Sequence, residues 1–455
     1  MLKIFGVIAG SALLYTTSVT AGSSDSDSEE LSPAAAYDVR ALVTAAHGSA
    51  PLICSMAAQS LGNGGWGGWS DAPTTPLSTA VPDREGFERN EIPVEDLNLL
   101  LESLASDDAC VREISVRLLG RSRNEMVATG LIGRLTAPVA QLREVAALGL
   151  GLVHPARAVD PLVSALRDAS AAVRANSAWA LGRIESGRAL KPLQERFSDE
   201  DAKVRAAAVG AVGKIDSTSS VPSLIRVLQR DDNASVRRVA AWALAELEAE
   251  ESIDALLSVA SKDPDWRVRE MATWALGEFE SRRAGATLIS IARNDANERV
   301  RETAVWALGE LEDRASAEAI GAIATSDKSS RVRGTAAWAL GQILDEAGHA
   351  PAGLIQLLKD ESDDTRLKAA WALGQIGDPA ALSAIRDAMG QQKSTQMRKA
   401  LIRALLKSGE RSQGVITQLL DSPDPEVREA AIRGLAGNNR FDPWPWPMPR
   451  PRPFP

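Results

Sequence analysis

Val173-Arg174-Ala175-Asn176-Ser177-Ala178-Trp179-Ala180-Leu181-Gly182 is the stretch that decides the fold, because the chain keeps returning to it. Its pattern recurs at Val236-Arg237 to Leu244, Val268-Arg269 to Gly277, Val300-Arg301 to Gly309 and Val332-Arg333 to Gly341. Weaker copies start at Val111, Leu142, Val204, Thr365, Met397 and Val427. The eleven starts are spaced 31, 31, 31, 32, 32, 32, 32, 33, 32 and 30 residues apart. A near-constant period of this size predicts stacked structural repeats.

Three positions before each start lies a second column: Asp108, Val139, Ser170, Asp201, Asn233, Asp265, Asn297, Ser329, Ser362, Ser394 and Asp424. All but Val139 carry a short oxygen-bearing side chain that accepts hydrogen bonds from the free N–H groups of a helix's first turn. A helix therefore starts after this column in every repeat. Upstream runs a second apolar-periodic segment, such as Val159 to Leu166, and Pro161, Pro192 and Pro222 suit a first helical turn. Each repeat reads as helix A, a short turn, and helix B.

Counting about 100° per residue along helix B sorts its faces. The starting Val, the Ala at +4, the Leu at +8 and the residue at +11 share one apolar stripe, the core. The Trp at +6 falls on the opposite side, with +3 and +10 beside it.

These columns resemble the HEAT-like repeats, in particular the short version named after phycobilisome lyases. The resemblance rests on Asp168 to Gly182, Asp263 to Gly277, Asp295 to Gly309 and Asp327 to Gly341, and covers about Ile92 to Gly437. It implies an all-α, right-handed solenoid of about eleven two-helix repeats, with the B helices lining the concave side. The +3, +6 and +10 columns are then expected to face the groove. A di-iron hydroxylase branch of this class uses His-Glu pairs, but His47, His154 and His349 are not followed by Glu. No residue carries over the chromophore chemistry of the lyase branch.

The sequence outside the repeats divides into three. Residues 1–21 read as an export signal: Lys3, an apolar run from Ile4 to Leu14, and small residues at Val19-Thr20-Ala21. A buried helix or retained anchor is the other reading, and no further membrane-spanning segment follows. Residues 22–91 hold an acidic linker, one or two short helices within 34–61, and a glycine-rich loop, Gly62 to Trp69. That loop lacks the Lys-Ser/Thr ending of a phosphate loop. Residues 438–455 form a Pro/Trp/Arg tail that is expected to be extended, because its prolines forbid helix and ladder pairing. Export implies a periplasmic or extracellular protein, and Cys54 and Cys110 are then either a disulfide or two buried thiols.

Five features carry the functional reading. Trp179, Trp242, Trp274, Trp306, Trp338 and Trp371 form a +6 stripe, and Glu246, Glu278, Glu310, Gln342 and Gln375 follow four residues after the last five. Residues at i and i+4 share a helix face. A stripe of indoles beside acidic and amide groups suits a cationic or proline-rich partner, although each indole could instead cover the neighbouring repeat. Second, the Arg column (Arg143, Arg174 and onward) alternates with Asp168, Asp199, Asp231, Asp263, Asp295, Asp327 and Asp360, which reads as inter-repeat ion pairing. Third, Arg403 and Arg433 replace Trp in the last two repeats, as in a polar cap or an anion site. Fourth, the tail is either disordered or docks on its own groove or a neighbour's. Fifth, the two Trp residues of the glycine-rich loop are expected to pack on the first repeat.

The net charge of −9 opposes general nucleic-acid binding. No zinc-protease motif, nucleophile elbow or Cys/His cluster is present, and no cofactor is expected. The sequence thus points to an exported, non-enzymatic scaffold for a protein or peptide. A lyase-like role, or an accessory domain of a membrane sensor or protease system, stands as the alternative.

Overall fold

The computed structural model describes residues 38–50, 92–345, 349–391 and 394–436. Residues 1–21, read above as an export signal, lie outside the described residues, as do Cys54, the glycine-rich loop and the C-terminal tail. Within them there is no strand, and helix Val39–Ala46 precedes eleven A/B pairs. The first pair is Val94–Ser103 with Ala109–Leu119, and the last is Gln413–Leu420 with Pro425–Leu435. The repeats counted from the sequence period are the repeats of the fold.

The B helices begin where the capping column predicts. Eight of the eleven column side chains accept a first-turn N–H: Asp108, Asp201, Asn233, Asp265, Asn297, Ser362, Ser394 and Asp424. Val139, Ser170 and Ser329 do not. The chain leaves six B helices through a left-handed non-glycine residue at +12: His154, Glu185, Asp216, Glu248, Glu280 and Glu312. Gly377 and Gly409 take the same place in two later repeats, where the conformation is free of Cβ strain.

The core follows the predicted stripe. Val300, Ala304 and Leu308 are wholly buried, as are Val236, Ala240 and Leu244, Val268, Ala272 and Leu276, and Val332, Ala336 and Leu340. Consecutive B helices pack closely along their length, whereas consecutive A helices touch lightly. The tighter layer of a curved stack is its inner layer, so the B helices line the inside of the curve. Close approach needs small residues. A Cβ on Gly277 or Gly309 would stand 2.7 or 2.6 Å from the Cζ3 atom of Trp306 or Trp338 in the next repeat.

Seven successive joints carry the same ion pair. Arg143, Arg174, Arg205, Arg237, Arg269, Arg301 and Arg333 each donate through Nε and Nη2 to both carboxylate oxygens of an Asp in the following repeat. Those partners are Asp168, Asp199, Asp231, Asp263, Asp295, Asp327 and Asp360, at 2.6–3.0 Å. The inter-repeat pairing read from the two columns is therefore observed. Each Asp also fixes its own turn, because its Oδ1 accepts the backbone N–H two residues on, as Asp327 does from Ser329 at 2.8 Å. Such planar, two-point pairing is specific to Arg.

The two ends differ. At the first repeat, Val39–Ala46 packs on both helices, and the Gly48 N–H donates to Asp108 Oδ2 at 2.8 Å. Cys110 is buried and disulfide-bonded; Cys54 is the only other cysteine in the sequence. At the C-terminal end, where Arg403 and Arg433 suggested a polar cap or an anion site, Glu426, Glu429 and Arg433 are exposed. Ile432 is 57% exposed and Leu435 41%, so the last repeat also presents apolar side chains.

Candidate protein-binding face

The expected indole stripe is not an open surface. Trp306 and Trp338 are 1% exposed, and Trp179, Trp242, Trp371 and Trp274 reach only 3%, 2%, 8% and 9%. Each large ring takes the place that backbone closeness leaves over the preceding repeat, against the glycine at its +9 position: Gly151, Gly213, Gly277, Gly309 or Gly341. Ala245 holds that position below Trp274, the most exposed of the six. The indole N–H groups of Trp179, Trp274, Trp306 and Trp338 are buried and find no acceptor. Packing therefore fixes these rings. The +3 column is likewise buried: Asn176, Val239, Met271, Thr303 and Thr335 are at most 4% exposed. Angle alone placed both columns in the groove, but adjacent B helices are near enough to close over them.

The +10 column does remain at the surface. Glu246 and Glu278 are exposed, and Glu310, Gln342 and Gln375 are partly so. Lys214 reaches Glu246 Oε2 at 3.0 Å and lies 5.0 Å from the Trp242 ring centre. Arg403 donates to Gln375 Oε1 at 2.9 Å. Glu246, Glu278 and Glu310 end their helices. Two residues beyond stand Glu248, Glu280 and Glu312, all exposed and all in the left-handed conformation, at φ 47°, 48° and 46°. Six glutamates thus mark one rim of the inner face across three consecutive repeats.

A second set lies at the other end of the same helices. Arg267, Arg299 and Arg331, at −1, are exposed, and Arg238 at +2 is half-buried. Position −1 shares its helix angle with +10, about 16 Å away along the axis. Arg267 and Arg299 stand 4.8 and 5.8 Å from the Trp266 ring centre, within cation–π reach. Arg331 pairs with Glu302 at 2.9 Å. Glu270 lies among these cations, only 7% exposed, and burial pushes its carboxyl above the usual range while Arg299 and Arg238 oppose that. Counting one residue upstream of each start would have revealed this arginine column.

Both rims run against helix electrostatics. A helix's N-terminus disfavours nearby cations and its C-terminus disfavours nearby anions, by about 0.3–1 kcal/mol each. The left-handed glutamates add a backbone penalty of about 1–2 kcal/mol apiece. Three repeats in a row accept both, although the left-handed +12 residue is shared with His154, Glu185 and Asp216 in the preceding repeats. Among the described residues, no group of three or more His, Cys, Asp or Glu could hold a metal ion, and no helix is long and apolar enough to cross a membrane.

Comparison with known proteins agrees with this architecture. The sequence profile of HEAT repeats matches overlapping segments from residue 128 to 436, more than half of the chain. No curated protein matches in sequence. Among solved structures, yeast importin-beta (Kap95p) is similar at 16% identity and a TM-score of 0.52, over 75% of this chain and 62% of that one. A Kap95:Nup1 complex gives a TM-score of 0.53 at 16% identity, over 76% of this chain and 58% of that one. The CpcE–CpcF complex of phycocyanin lyase from Nostoc sp. PCC7120 is 22% identical over 53% of this chain and 91% of that one, with a TM-score of 0.33. These likenesses concern the fold. With the period, the capping column and the profile in agreement, the chain belongs to the HEAT repeat family.

Proposed function

We propose that this chain is an exported, non-enzymatic scaffold that holds a cationic protein segment along the inner face of its central repeats. One observation carries the reading: Glu246, Glu248, Glu278, Glu280, Glu310 and Glu312 form an acidic rim in positions that helix electrostatics and backbone sterics disfavour. Partner binding is the function that such a rim serves, because it concentrates one sign of charge along about three repeats. HEAT solenoids are suited to protein binding, and one structural neighbour is a complex of Kap95 with Nup1. The contact surface moves from the indole faces to the glutamates at the ends of the same helices. The arginine rim opposite would orient the partner, favouring an acidic flank on that side. Export is supported by the features of residues 1–21 and by the disulfide at Cys110, a bond that persists in oxidising compartments.

The test is binding of a labelled peptide of alternating Lys and Ala, followed by fluorescence anisotropy, with a Glu-Ala peptide as control. The Lys peptide should bind in a salt-dependent manner, and the triple variant Glu246→Gln, Glu278→Gln, Glu310→Gln should lose about tenfold or more in affinity. Equal binding by the variant, with circular dichroism unchanged, would remove the acidic rim as the contact surface.

A further inference from the structure

The open C-terminal end of the array has a covering of its own. On the B helices the +5 residues face the next repeat, as Val116 does toward Gly149, and the +8 residues belong to the core stripe. At +8, Leu181, Leu244, Leu276, Leu308, Leu340, Leu373 and Leu405 are wholly buried. At +5, Ile402 is wholly buried by the repeat that comes after it. The same two positions in the last repeat are Ile432 and Leu435, at 57% and 41% exposure, and Leu420 on the neighbouring A helix is 36% exposed. Of the five large apolar residues exposed in the described structure, three gather here. A stack of repeats ends stably only where its last face is covered or polar, and an uncovered apolar face invites association.

We propose that residues 441–455 of this same chain fold back over that face and act as its cap. The segment begins in the right place. Helix Pro425–Leu435 ends one residue after Gly434, and Gly437-Asn438-Asn439-Arg440 separates it from Phe441. Four residues span at most about 14 Å, and Gly and Asn favour the left-handed turn that sends a chain back along its helix. The segment also has the right chemistry. Phe441, Trp444, Trp446, Met448 and Phe454 supply apolar bulk, and seven prolines alternate with their neighbours from Pro443 to Pro455. Proline rings pack on aliphatic side chains and bring no backbone N–H that would need a partner on an apolar face. A proline-rich segment also loses little conformational freedom when it docks. A twelfth helix pair would bury the same face, but alternating prolines rule out helix.

This proposal is independent of the acidic rim, and its experiment separates the two. Trypsin cuts after Arg440 only when the segment beyond it is free. In the full chain this cleavage should be slow, and Ile432→Glu should speed it about tenfold, because cleavage tracks the open population. The variant changes an exposed side chain, so circular dichroism should not move. Removing residues 441–455 should lower the melting temperature and produce concentration-dependent self-association in sedimentation. Ile432→Glu in the shortened chain should abolish that association. Cleavage at the same rate in both full chains overturns the cap. So does cleavage accelerated by the Glu246→Gln, Glu278→Gln, Glu310→Gln variant instead, which would place the segment in the groove. A full-length chain already dimeric through Ile432 overturns it as well, by making a second copy the occupant.

Discussion

The joint between the repeats starting at Val300 and Val332 and the joint between those starting at Thr365 and Met397 use the same helices at almost the same spacing, yet different chemistry holds them. In the first, Trp338 lies on Gly309, and Arg301 grips Asp327 with both partners about nine-tenths buried or more. In the second, Arg403 stands where the indole should be and reaches Gln375, while Arg366 has turned to Asp363 on its own helix. The next joint keeps an Arg398–Asp424 pair, but through one guanidinium nitrogen and at 30% and 19% exposure. A repeat period thus guarantees the helices without guaranteeing the joints. The centre is built for stiffness, and the C-terminal third for tolerance.

The largest test of this difference is Trp306→Ala. Emptying a wholly buried indole site should cost about 3–5 kcal/mol, read as faster hydrogen exchange in Gly285–Asn294 and Glu298–Glu310. Arg403→Ala should leave its own joint nearly unchanged. If both variants open to the same extent, the joints are not different in kind. Next comes Arg301→Ala, which strands a buried carboxylate and should cost about 3 kcal/mol. Arg398→Ala, at a solvated pair, should shift the melting temperature far less, and equal shifts would contradict the distinction.

Acid should act on both regions, over windows set by their carboxylates. Burial pushes Asp199, Asp231, Asp327 and Asp360 up, but the guanidinium hydrogen bond and the backbone N–H override it and leave each below its ordinary value of 3.8. For Asp168, the hydrogen bond from Arg143 leads. A carboxyl with a depressed folded-state pKa stabilises the fold above its unfolded value, and that contribution fades as pH falls through the folded value. Thermal stability should therefore be flat in these groups above about pH 5 and drop below about pH 4. Glu410 belongs to the C-terminal region, where the Ser412 N–H and then Arg386 hold its carboxyl down to about 2. Its contribution should persist, diminishing, to about that pH, and Glu410→Gln should remove the lower part of the acid profile. A melting temperature that keeps rising from pH 5 to pH 3 would contradict the sign.

The smallest effect concerns the rim. Glu280→Gly should gain up to about 1 kcal/mol by relieving a left-handed Cβ, while Gly377→Ala in the later repeat should lose a similar amount. A variant that gains stability and loses the cationic peptide would tie the backbone strain to binding. No gain would mean that the surroundings of Glu280 already compensate.

Much of this molecule is legible in its sequence. The period, the N-caps, the Val/Ala/Leu stripe and the Arg–Asp alternation each depend on neighbours within one helix or on strict repetition, so one-dimensional spacing suffices to find them. Spacing even puts Glu246, Glu278 and Glu310 on the correct face. The tertiary structure alone decided how deep that face lies. Residues at +3 and +6 share its angle, but whether an indole is a surface or a spacer depends on how closely the next B helix approaches. That distance is set by Gly151, Gly277, Gly309 and Gly341 in the preceding repeats. The ends were undecidable for the same reason: Ile402 and Ile432 occupy identical positions in sequence, and only the presence or absence of a following repeat buries one and exposes the other.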